Sequence, residues 1–252
     1  TQNQSTEVTT LKQVTDVIIN AQTTLVAASN GTLSDDDRQS YATQLTGLRA
    51  QLLNLANSTD GSGRYVFAGY QSDKPPFVTD ATTGATTYEG GLTPISQKVD
   101  ASRTLTTNHT GEQIFNSLTS TAVKEADGTA ETNIFNMLDT AIASLNKPLA
   151  DASQADIDDG LAALEKSGRG LRNALNNVSS VSAEVGTNLQ ELSSLDSKGD
   201  DTILNQKNQL SALIGADTVE SISNYTMQQA ALKASYTVFQ QMSKLSLFNL
   251  NS

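Results

Sequence analysis

Small and apolar residues recur at Leu11, Val14, Ile18, Ala21, Leu25 and Ala28, in alternating steps of three and four. That period keeps one stripe of a helix facing a partner helix. Asn30-Gly31 should end this first helix, with the glycine as its left-handed cap. Ser34 followed by Asp35, Asp36 and Asp37 then reads as an N-cap with acids in the first turn, where the helix dipole favours them. A second seam follows at Tyr41, Leu45, Leu48, Leu52 and Leu55. Two helices joined by so short a link should lie antiparallel.

After Asn57 the pattern changes. Asp60-Gly61-Ser62-Gly63 is turn chemistry, and the run Arg64 to Tyr70 is aromatic and β-branched, hence strand-like. Pro75-Pro76 forbids helix, and glycines at 84, 90 and 91 punctuate short segments, one strand falling around Thr86 to Tyr88. Ile95 to Thr107 reads as a further strand. Helical period resumes with Ile134, Leu138, Ala141 and Leu145, closed by Pro148. The longest seam follows: Ile157, Leu161, Leu164, Gly168, Leu171, Leu175, Val178, Ser182, Val185, Leu189 and Leu192. A helix over 157–195 is about 58 Å long at ~1.5 Å per residue. A compact chain of this length has a radius of gyration of about 18 Å. The sequence therefore predicts a mainly α protein with an inserted β domain: long antiparallel, coiled-coil-like helices forming an elongated rod. The expected organisation is a first half of the helical domain at 1–60, a β-rich insert at 61–130 and the second half at 131–252. Gly199 should interrupt the last part. A final helix then carries Leu232, Tyr236, Phe239 and Met242, and the chain stays apolar through Leu245, Leu247 and Phe248. Chain ends are normally polar unless docked, so something should cover this one.

Composition narrows the function. Lys and Arg number 16 against 27 Asp and Glu, a net charge of −11, which argues against a nucleic-acid partner. Charged residues make up 17% and apolar ones 37%, so the surplus is uncharged and polar. No apolar run is long enough to span a membrane. With no cysteine and one histidine, thiolate and multi-histidine metal sites are excluded, and no cofactor is expected. His109, in Thr107-Asn108-His109-Thr110-Gly111, reads as a solvent-facing loop residue. Glu89, Asp100 and Glu112 are the carboxylates a sugar-cleaving enzyme would have to use, and nothing in the sequence sets their separation. Asp35 to Asp37 lack the alternating ligand positions of a calcium loop. Asp158-Asp159 and Asp200-Asp201 read as solvated helix ends. No catalytic residue is expected. The candidates are apolar: Leu232, Tyr236, Phe239, Leu245, Leu247 and Phe248, as an assembly interface in which helices bury each other's stripes.

Several long stretches resemble the flagellar hook-associated protein 3 family, a flagellin-like group. They are Asn30 to Arg38, Leu53 to Tyr70, His109 to Phe115, Arg169 to Val178, Gln228 to Tyr236 and Leu245 to Phe248. The resemblance spans essentially the whole chain. It implies a helical domain built from both ends of the chain, with a β-rich domain between them. It also implies export by the flagellar secretion apparatus with a chaperone, and an extracellular place at the hook–filament junction. The partners would be hook-associated protein 1, flagellin and further copies of the chain in a ring or helical layer. Family members begin with an additional inner helix, so the sequence is expected to be trimmed at its N-terminus and monomeric by itself, its last 20–30 residues disordered. A short flagellin-type filament subunit and a secreted coiled-coil adhesin are the alternatives.

Overall fold

The computed structural model describes residues 2–99 and 103–248, and divides into one unit over Thr1–Leu192 and a second over Ser193–Ser252. Among the described residues the elements follow in the order α1 (Gln2–Ala28), α2 (Asp35–Ala56), β1 (Phe77–Thr79), β2 (Thr86–Tyr88), β3 (Ile95–Lys98), β4 (Thr104–Asn108), α3 (Gly111–Phe115), α4 (Ile134–Leu145) and α5 (Gln154–Phe248).

In the first unit the α1 stripe read from the sequence is sealed, with Leu11, Val14, Ile18, Ala21, Leu25 and Ala28 all in the core. Leu45 and Leu52 of α2 join them, while Tyr41, Leu48 and Leu55 pack at the margin. Gly31 is not a left-handed cap: the positive-φ glycines are Gly63, Gly69, Gly84 and Gly128. Asn30 shapes the link instead, its Oδ1 accepting from the Thr32 amide at 3.2 Å and the Thr32 hydroxyl at 3.0 Å. Ser34 does cap α2, in a reciprocal box with Asp37. Asp35 reaches further, accepting from the amides of Leu149 and Ala150 and so fixing the link between α4 and α5.

The α5 seam is rotated from the one expected. Leu164, Leu171, Val178 and Val185 are buried as predicted. Their companions are Ser167, Ala174 and Val181, with Gly168, Leu175 and Ser182 only half-buried. Small side chains at the true contact let neighbours approach closely. A Cβ on Gly170 would stand 2.9 Å from Met137 of α4. Beyond Leu192, Gly199 does not break the helix, and Asp200-Asp201 lies within α5 rather than at an end. An interior glycine costs a helix only about 1 kcal/mol, too little to stop one that continues on both sides.

The strands form two antiparallel pairs, β1 with β2 and β3 with β4. The expected strand from Ile95 to Thr107 is thus a hairpin, bulged between Ile95 and Ser96 and closed by the Val99 amide donating to the Arg103 carbonyl. Arg64 to Tyr70 is not a strand beyond one bridge, Thr59 to Tyr65. Left-handed Gly63 and Gly69 turn it, and Phe67 is fully buried. A Cβ on Gly69 would stand 2.8 Å from the Gly91 carbonyl oxygen, so glycine is required there for space as well as for backbone angle.

Phe67 and Phe77 meet Phe115 edge-on at 5.6 and 5.2 Å, and Phe77 meets Phe135 at 5.3 Å. This cluster gives the β segment, α3 and α4 one shared wall. Tyr88 rests on Phe77 at 5.2 Å, its hydroxyl 2.8 Å from the Gly91 carbonyl and 3.0 Å from that of Phe67, with one proton for the two acceptors. Burial pushes that hydroxyl up to about 12.

The uncharged polar surplus has a visible use here. The Asn57 amide pairs with both backbone groups of Phe77, and that of Asn173 with both of Val123. Asn177 donates to the Gln113 and Ile114 carbonyls at the end of α3. They satisfy, in turn, the outer edge of β1, a loop residue and the last carbonyls of a short helix. Arg49 of α2 is the charged counterpart. It pairs with Asp139 of α4, donates to the Gly84 carbonyl and Thr86 hydroxyl, and lies 5.7 Å over the Phe135 ring. Arg49→Met is expected to cost about 2 kcal/mol, below the full price of a buried pair because Asp139 is 38% exposed and can rehydrate. The urea midpoint should fall with its slope unchanged.

Candidate functional site

Among the described residues of the second unit, the large apolar side chains of α5 are exposed. A lone helix in water is marginal, and its apolar side chains need a partner to contribute stability. Ile203, Leu210, Ile214, Tyr225, Leu232, Tyr236 and Phe239 are all exposed. At 3.6 residues per turn they fall within an arc of about 80°. Leu232, Tyr236 and Phe239 are 73%, 64% and 68% exposed and, with Gln229, Lys233 and Ser235, line a shallow apolar depression. Tyr225 extends the same face one turn and more toward the N-terminus, its hydroxyl accepting from the Gln229 amide at 3.1 Å. The exposed apolar patch of Leu232, Tyr236 and Phe239 marks a candidate binding surface. It can bury itself against another helix. The structure thus brings three of the six sequence candidates together. The side chains of Leu245, Leu247 and Phe248 lie outside the described residues.

The sequence reading missed the upper part of this stripe. Sequence alone makes Ile203, Leu210 and Leu213 a short amphipathic piece apart from a final helix starting near Val219; in the structure both belong to α5, and Ile214 rather than Leu213 shares the face, 11 residues from Tyr225.

His109 is corrected outright. It is buried, not solvent-facing, and its ring is 5% exposed. The β4–α3 corner turns it beneath the start of α1, because the Glu7 carboxylate accepts from both its backbone amide, at 3.0 Å, and its Nδ1, at 2.9 Å. On the other side Nε2 stands 3.4 Å from Glu184 of α5. Burial works against the imidazolium, but the hydrogen bond and charge of Glu7, with the charge of Glu184, outweigh it and raise the histidine above its ordinary 6.5. Thr110, next along, caps α3 in a reciprocal box with Gln113.

The carboxylates considered for catalysis are accounted for one by one. Glu89 is exposed in a loop, Glu112 accepts from Asn116 within α3 and its C-cap, and Asp100 lies outside the described residues. Among the described residues no group of three or more His, Cys, Asp or Glu could hold a metal ion. No helix among them is long and apolar enough to cross a membrane.

Comparison with known proteins accords with this picture. Residues 1–72 match the bacterial flagellin N-terminal helical region. The chain is 56% identical over all 252 residues to flagellar hook-associated protein 3 of Escherichia coli K12, covering 78% of that protein. It is 54% identical to flagellar hook-associated protein 3 of Salmonella typhimurium LT2, again over its whole length and 78% of the relative. Among solved structures, Xanthomonas campestris FlgL superposes with a TM-score of 0.71 at 19% identity, over 84% of this chain and 94% of that one. Hook-associated protein 3 of Legionella pneumophila gives 0.72 at 18% identity, over 84% and 92%. At such identities these two show a common fold.

Proposed function

The chain belongs to the flagellar hook-associated protein 3 family, and on that premise we propose that it joins the flagellar hook, through hook-associated protein 1, to the flagellin filament. The role is structural and involves no turnover. Its place is outside the cell, reached through the flagellar secretion apparatus with an export chaperone. Several copies pack side by side in a ring or helical layer.

The observation that carries this reading is the uncovered stripe through Leu232, Tyr236 and Phe239. Coaxial helices from neighbouring subunits can bury it by seam-to-seam packing, and the interface then includes Leu245, Leu247 and Phe248. An adaptor between two different tubes needs surfaces that associate and no catalytic constellation. A chain free of cysteine and poor in charge suits unfolded export, since it forms no disulfide on the way.

The test is genetic. Cells lacking the protein should assemble hooks and release flagellin monomers into the medium without building filaments, and the restored gene should return them. Filaments of normal length on such cells would overturn the proposal. Unaided polymerisation of the purified protein into long filaments would instead assign it to the bulk filament.

A further inference from the structure

Apart from the apolar stripe, the first unit holds a buried cluster of titratable groups that coaxial packing does not use. Glu7 on the second turn of α1 is fully buried, and its Oε2 has no hydrogen-bond partner. The His109 ring lies between that carboxylate and Glu184. These are the charged groups that face it, one from α1 and one from α5. Its neighbours on its own corner, Asn108 and Thr110, are uncharged.

We propose that His109 is a proton-dependent staple: as an imidazolium it ties the turns of α1 around Glu7 to α5 through Glu7 and Glu184, and its deprotonation loosens those turns. Geometry sets the two states apart. The imidazolium has two N–H groups: Nδ1–H donates to Glu7, and Nε2–H, which makes no hydrogen bond, faces the Glu184 carboxylate at ion-pair distance. A neutral ring that keeps Nδ1–H on Glu7 turns a lone pair of Nε2 toward the Glu184 oxygen 3.4 Å away. The same event leaves the Glu7 carboxylate buried with no counter-charge, the costliest arrangement for a carboxylate. Local opening relieves it by letting water reach Glu7. The opening stops short of Leu11, because from there on α1 is held by fully buried side chains at Leu11, Val14 and Ile18. The short polar tie of Gln4 Nε2 to the Thr106 carbonyl, at 2.9 Å, opens with it.

The direction in pH follows from linkage. The folded-state value lies above the ordinary 6.5, so the staple is fully present below 6.5 and is lost as pH rises through the folded value. The experiment uses the 252-residue chain. The His109 ring is followed by NMR from about pH 6 to about pH 10, alongside amide protection corrected for base-catalysed exchange. The ring should titrate above 6.5, and residues 4–10 should lose protection over the same interval while residues 134–145 keep theirs. Glu184→Gln, at a side chain 56% exposed, leaves folding intact and should move both midpoints to lower pH. His109→Gln should remove the pH dependence of α1 protection. A ring titrating at or below 6.5, protection of α1 that ignores pH, or a Glu184→Gln midpoint equal to the parent's would each overturn the staple.

Discussion

Replacing Leu232, Tyr236 and Phe239 together by aspartate should abolish filament attachment while the first unit melts as before. All three side chains are exposed, so no contact in the first unit depends on them. Their value appears only on assembly. Burying one large apolar side chain contributes about 1.5–3 kcal/mol, so three contribute about 5–9 kcal/mol per subunit. Three carboxylates in the same seam reverse the sign, since each must be desolvated beside its neighbours. At about 1.4 kcal/mol per tenfold change, even the lower figure exceeds a thousandfold in association. The check is double: a swimming assay with electron microscopy of the cell surface, and thermal unfolding of the purified variant. Filaments on cells carrying the triple variant would remove this stripe from the interface. Substitution of Val26, which is also highly exposed but lies on α1, provides the control and should leave attachment intact.

How much of this was readable beforehand depended on side-chain size. The α1 and α4 stripes were legible because apolar residues, most of them larger than alanine, sit at the contact positions, Leu11 to Ala28 and Ile134 to Leu145. On α5 the contact positions include Ser167, Gly170 and Ala174, which carry little hydropathy, so Leu175 and Gly168 were taken for the seam. Arg64 to Tyr70 has strand composition but no strand partner. Its place is set by Phe67 entering a distant ring cluster, which no local pattern encodes. His109 was misread for a related reason. Its flanks are loop-like, and the partners that bury it are 102 residues away on α1 and on α5. That Leu232, Tyr236 and Phe239 share one helical face follows from their spacing, which needs no long-range contact.

Phe135→Ala should be the most damaging single substitution in the first unit, costing about 3–5 kcal/mol. The ring is fully buried and lies where three structures meet. Phe77 of β1 packs on it at 5.3 Å, Phe115 of α3 stacks at 6.3 Å, and the Arg49 guanidinium lies over its face. Truncation leaves a void that none of them can fill, because Phe77 is already held by Asn57 on both backbone groups and Phe115 by Phe67. Against a native stability of about 5–15 kcal/mol this brings the unit near its unfolding threshold. Phe135→Leu keeps most of the volume and should cost about 1.5 kcal/mol. Urea unfolding followed by circular dichroism separates the two variants by their midpoints. A double variant, Phe135→Ala with Arg49→Met, should fall short of additivity, since the first change has already removed the ring beneath the guanidinium. Full additivity would mean that Arg49 acts only through Asp139 and the Gly84–Thr86 turn. A Phe135→Ala loss under about 1 kcal/mol would mean the β segment and α4 hold together without a common aromatic wall.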